Sequence, residues 1–208
     1  MTTRVITTLV AVAAAALTAG GALAGCATGS TPGGSPASSQ AAVQDHNPAD
    51  IAFAQGMIPH HAQAVEMSEM AAQRASSPQV KDLAARIQAA QQPEIDQMSG
   101  WLRAWKAAVP PTAGPMAGPM ENMGQMDHGA SMPGMMSGEQ MQQLSQATGA
   151  QFDRMFLQMM ITHHQGAVTM AQKELSDGYN AEARRLAQQI IDTQQREITE
   201  MQQLLARR

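Results

Sequence analysis

The chain has one cysteine in 208 residues. A single thiol closes no intramolecular disulfide and builds no Cys-based metal cluster, so packing must hold the fold together and thiolate chemistry is not its business. Aromatic residues make up only 3% of the sequence, which leaves Leu, Ile, Val, Ala and Met to fill the core. Charge is sparse as well: 14% of residues are charged, the formal net charge is −4, and no basic run occurs, so a nucleic-acid partner is not expected. There is no candidate nucleophile, phosphate-binding loop or catalytic triad, and no segment alternates as a strand would.

What the chain does have is a repeat. Asp50 to Leu102 recurs without a gap from Asp153 to Leu205, at a constant offset of 103 residues. FAQGMIPHHAQAVEM and FLQMMITHHQGAVTM share Phe53 with Phe156, Met57 with Met160, His60 and His61 with His163 and His164, and Met67 with Met170. Further on, Leu83, Ile87, Gln91, Glu94, Ile95, Met98 and Leu102 meet identical residues at Leu186, Ile190, Gln194, Glu197, Ile198, Met201 and Leu205. Such a match implies an internally duplicated fold.

The N-terminal 25 residues read as a secretory signal, with Arg4 followed by an uncharged Ala/Val/Leu stretch ending in Leu23-Ala24-Gly25-Cys26. That ending resembles a bacterial lipobox. The mature chain would then begin at a diacylated Cys26, and two acyl chains suffice for stable anchoring on the extracytoplasmic face of a membrane. Residues 26–46, rich in Ser, Gly and Pro, read as a flexible tether. Residues 47–208 form the folded domain, divided into a hairpin at 47–106, a Met-rich loop at 107–138 and a second hairpin at 139–208.

Within each copy, apolar residues step by three and four, the period of one helix face. Phe53, Met57, His60, Ala64 and Met67 share one stripe, and Val80, Ala84, Ile87, Gln91, Glu94, Met98 and Trp101 share another, separated by Ser76-Ser77-Pro78. The second copy repeats both stripes around the turn Asp177-Gly178-Tyr179-Asn180. Neither hairpin can hide its stripe alone, so the fold expected is all-α, an antiparallel four-helix bundle with a pseudo-twofold axis.

Glu94 and Glu197 sit on the apolar stripes and therefore point inward, where a carboxylate costs several kcal/mol unless paired or bound to a metal. Counting from the turns puts them level with the His pairs. One layer should hold His60 or His61, His163 or His164, Glu94 and Glu197, with Met57 and Met160 one turn away and His60 and His163 facing the axis. The layer reads either as metal ligands or as a buried His–Glu network that fixes hairpin register. Since imidazoles bind metal only when neutral, a His site would release it below about pH 6. The stripe methionines, Met67 and Met170 included, read individually as core filler.

The connecting segment carries Met116, Met120, Met123, Met126, Met132, Met135, Met136 and His128 among so many Gly and Pro that no helix should form. These methionines are not expected to be core. Thioether and imidazole suit soft Cu(I), the alternatives being low-complexity drift or sacrificial oxidation.

The MIPHH and MITHH motifs, the Gln-x-x-Glu-Ile-x-x-Met pattern of both copies and the signal peptide together resemble the family called domain of unknown function 305. That resemblance implies a ferritin-like bundle, secreted or attached to the cell envelope, with copper binding in some members. It supports Met57, His60, His61, Met67, Met160, His163, His164 and Met170 as a ligand set. The expected function is thus a lipid-anchored envelope protein that binds, buffers or transfers copper, preferentially Cu(I), with metal ions, the membrane and a copper-transfer protein as partners. The alternatives are a ferritin-like di-metal enzyme acting on peroxide or oxygen, for which inward carboxylates are too few, and a metal-free interaction module.

Overall fold

The computed structural model describes residues 45–112 and 132–207. Cys26, the leader, most of the tether, Met116, Met120, Met123, Met126 and His128 lie outside the described residues. The described chain forms five helices, α1 (Pro48–Arg74), α2 (Pro78–Ala104), α3 (Gly138–Gln146), α4 (Gly149–Asp177) and α5 (Ala181–Ala206). None of them is long and apolar enough to cross a membrane.

The helix starts are written locally. The Asn47 side chain accepts the N–H groups of Ala49 and Asp50 at 2.7 and 3.1 Å, and Asp50 accepts the Asn47 N–H in return at 2.5 Å, a reciprocal cap. Ser77 caps α2 ahead of Pro78, and Asn180 caps α5 through Glu182 and Ala183. α1 continues through Pro59 and α2 through Pro93.

The two hairpins, α1–α2 and α4–α5, meet mainly through α1 and α4. Those helices run antiparallel. The N-terminal half of α1 shares an apolar cluster with the C-terminal half of α4 (Phe53, Met57 and Ile58 with Ala167 and Ala171), and the other halves share a second (Ala64, Met67 and Ala71 with Phe152, Phe156 and Met160). This is the bundle architecture expected from the duplication. The short α3 was not anticipated. Ser137 and Gln140 form a reciprocal cap at its start, and Met141 and Leu144 anchor it to the core. Nine Gln-rich residues offer too short a stripe to read.

The two halves also clamp each other in a way the repeat did not suggest. Asp50 accepts the Tyr179 and Asn180 N–H groups at 3.0 and 2.9 Å, in the turn of the opposite hairpin. Its counterpart Asp153 accepts the Ser76 and Ser77 N–H groups, each at 3.1 Å, and the Ser76 hydroxyl at 2.6 Å. Both carboxylates are fully buried, and each satisfies backbone donors ahead of a helix that belongs to the other half.

Candidate metal centre

A polar layer separates the two apolar clusters. His60 and His61 come from the middle of α1, His163 and His164 from the middle of α4, and all four have no exposed surface. Their positions follow from helix geometry: antiparallel helices carrying the motif at matched height must cross at it. The rings of His60 and His163 face each other with centroids 3.8 Å apart. His61 and His164 turn the other way, each toward its own hairpin. His61 Nε2 lies 2.6 Å from Glu94 Oε2, and His164 Nε2 lies 2.7 Å from Glu197 Oε2. The carboxylates thus accept from the outer members of the pairs instead of converging on the axis. Gln91 and Gln194 complete the layer, both buried, each with its amide oxygen unpartnered.

Three of the four imidazoles use Nε2 in a hydrogen bond, since His60 Nε2 reaches the Pro133 carbonyl at 3.0 Å. A carbonyl can only accept, so His60 carries its proton on Nε2. Nδ1 of all four rings, and Nε2 of His163 too, is buried without any partner. Buried polar atoms are nearly always hydrogen-bonded, and each one left bare costs about 1–3 kcal/mol. Five in one layer are a concentrated deficit. The pattern is that of imidazoles whose far nitrogen is held by an outer acceptor so that the near nitrogen keeps its lone pair.

Burial, then the neighbouring His61, drives the His60 imidazole down to about 3 against a small upward pull from the Pro133 carbonyl. His163 is pushed well below its ordinary range by burial and by His60. Both rings stay neutral and able to donate a lone pair far below the pH 6 expected for ordinary histidines.

Met57 and Met160, one helical turn before His60 and His163, are fully buried beside the layer, and Met67 is fully buried further along α1. Met170 is only partly buried, its methyl group against Gly56 with the Met132 sulfur close by. Met135 is partly buried, but Met136 is a core residue in the cluster of Phe152 and Phe156, which corrects the expectation that the connecting methionines are not core. Among the described residues no three His, Cys, Asp or Glu side chains gather around a common point. Any centre here must therefore rest on two imidazoles supplemented by thioethers, a donor set for soft ions and a poor one for hard di-metal chemistry.

Fold and site together define a duplicated helical bundle with a histidine pair buried on its internal axis. The chain belongs to the domain of unknown function DUF305, whose family model matches residues 50–205. Among solved structures it is similar to a DUF305 protein of Streptomyces coelicolor, considered to be secreted, at 34% identity over 76% of this chain and 93% of that one, with a TM-score of 0.65. A DUF305 fragment from Deinococcus radiodurans is similar at 34% identity over 78% and 98% of the two chains, also with a TM-score of 0.65. CopM in its Cu(I)-bound form is similar at 33% identity over 76% and 96%, with a TM-score of 0.60, and structures of CopM with Cu(II) and with silver are also similar. A comparison with curated proteins returned no match.

Proposed function

We propose that this chain is an extracytoplasmic copper-binding protein whose buried histidine pair holds Cu(I). The observation that carries the reading is the set of five unpartnered ring nitrogens on four fully buried, twofold-related histidines. Unpaired lone pairs on neutral imidazoles are costly in an apolar interior, and a soft cation held between them offsets that cost. His60 and His163 supply the imidazole donors. Met57 and Met160 supply thioethers one turn away, and Glu94 and Glu197 hold the outer histidines and contribute negative charge to a site that receives a cation. The resemblance to CopM, which has been solved with Cu(I), Cu(II) and silver, supports the choice of metal.

The Met- and His-bearing stretch with Met116, Met120, Met123, Met126 and His128 is, by residue type, a second capture site for the same ion. Diacylation at Cys26 would keep the whole assembly at the membrane surface, where copper could be buffered or passed to a partner.

Competitive titration with a Cu(I) chelator tests this on the chain from Ala27 onward, on the double variant His60→Gln, His163→Gln, and on a variant lacking residues 113–131. We expect the histidine variant to lose one tight site, a fall of about 100-fold or more, and the deletion to lose a separate portion of the capacity. Failure of the intact chain to compete at all overturns the proposal.

A further inference from the structure

The twofold equivalence ends just past the two His pairs, and three residues beyond each first histidine one copy has Gln63 where the other has Gly166. The segment Met132–Met136 occupies that break. Gln63 holds it by the backbone: its side-chain amide donates to the Met136 carbonyl at 2.9 Å, and the Met136 N–H donates to the Gln63 carbonyl oxygen at 2.7 Å, both in the interior. On the opposite side Gly166 makes room. A Cβ there would run into the Pro133 carbonyl, and one on Gly134 would lie 2.6 Å from the Thr162 carbonyl and 2.9 Å from that of His163. Gly134 also adopts φ of 79°, which favours glycine. Between these two seats the Pro133 carbonyl receives the His60 proton, and Met136 is sunk in the core. Among the described residues this is the one non-helical segment bonded to the central histidine pair.

Resting on the copper reading above, we infer that residues 132–136 are a strap that positions His60 and controls entry to the pair, with Gln63 and Gly166 as its divergent seats. The strap makes a symmetric pair unequal. His60 is held with Nδ1 as its bare nitrogen, whereas His163 keeps both nitrogens bare and is free to choose its donor atom. An ion approaching between α1 and α4 from this side meets the strap first, and the strap also forms the end of the Met-rich connection. Entry from this side therefore involves displacement of the strap from its Gln63 seat, its return placing the Pro133 carbonyl on His60 Nε2 so that Nδ1 stays the donor, and the divergence of Gln63 from Gly166 is the adaptation that seats it.

The test compares native chain, Gln63→Ala and Gly166→Ala, using Cu(I) released from a chromophoric chelator as the probe. Three readings are taken: hydrogen exchange at the Met136 amide, the rate of Cu(I) uptake, and the affinity at equilibrium. Gln63→Ala removes two hydrogen bonds without touching the helix backbone, so it serves even where Gly166→Ala fails to fold. The expected result is loss of Met136 amide protection together with uptake about tenfold faster, the factor one or two lost hydrogen bonds are worth, while affinity changes much less than rate. Exchange at Met136 that rises while uptake stays at the native rate overturns the strap and leaves the copper site intact. Absence of any uptake by the native chain is a different failure, which removes the copper reading and the strap with it.

Discussion

Glu174 stands where the first copy has Ala71, a core residue without exposed surface. The glutamate is buried too, its carboxyl group finds only the Asp50 carboxylate to pair with, and a cavity of about 190 Å³ opens beside it between Phe53 and Met170. Burial, then the nearby Asp50 carboxylate, raises its pKa from 4.5 to about 8. Below pH 4.5 the group is protonated in folded and unfolded chains alike and imposes no charge penalty. As pH rises toward 8 the unfolded chain gives up its proton first, so stability falls across that window. Glu174→Gln should flatten this slope and be more stable than the native protein at pH 8, relative to pH 5, by about 1–3 kcal/mol. Thermal unfolding at pH 5, 6, 7 and 8 checks it; any constant offset from the amide cancels in the slope, and parallel curves for the two proteins would refute a retained proton. At this scale the sequence was uneven as a guide. Helical period placed His60, His163 and both glutamates on inward faces, but it did not foresee the full burial of His61 and His164, which turn toward their own hairpins. Glu174 gave no such signal, since its burial depends on the opposing helix and turn.

At the scale of the element, hairpin pairing was legible because turns are local: Ser76-Ser77-Pro78 between the first two long helices and Asp177-Gly178-Tyr179-Asn180 between the last two, with the side-chain caps of Asn47, Ser77 and Asn180 added by the structure. The reciprocal clamp of Asp50 and Asp153 was not, although both residues stand at the first position of the repeat. Their partners lie 129 and 77 residues away, at Tyr179 and Ser76, and a carboxylate near a helix start reads as an ordinary cap until the opposite hairpin is in place. Likewise, Gly and Pro around Met136 concealed a residue that packs against Phe152 and Phe156. Asp50→Asn and Asp153→Asn should each cost about 1–2 kcal/mol, the scale of a lost helix cap. The two clamps sit at opposite ends of the bundle, so the double variant should show the sum of the single losses to within about 0.5 kcal/mol. Urea unfolding measures all three, and a double variant no worse than either single one would mean that the clamps act as one unit.

For the whole molecule, the notable arrangement is a polar layer laid across the middle of an otherwise apolar core. Stability alone would fill that layer with leucine, because an interior polar group without a partner is a net cost and replacing such groups by apolar ones of similar size is often neutral or favourable. This separates the two readings that the sequence left open. If His60 and His163 are there to fix hairpin register, replacing both by leucine removes a structural bond and the protein weakens. If they are there for an ion, the metal-free protein carries their cost, and the double variant His60→Leu, His163→Leu should exceed it in stability by about 1–3 kcal/mol. The bond lost to Pro133 is a debit of about 1 kcal/mol, smaller than the combined cost of the unpartnered ring nitrogens that the substitution removes. Cu(I) should then act on only one of the two proteins: at a free concentration 100 times the dissociation constant it stabilises the native chain by about 2.7 kcal/mol, roughly 5–10 °C in midpoint for a domain of this size, and leaves the leucine variant where it was. Calorimetry of both proteins, with and without Cu(I) under reducing conditions, gives the four midpoints. A leucine variant less stable than the metal-free native chain would assign the histidine pair to the architecture of the bundle instead of to an ion.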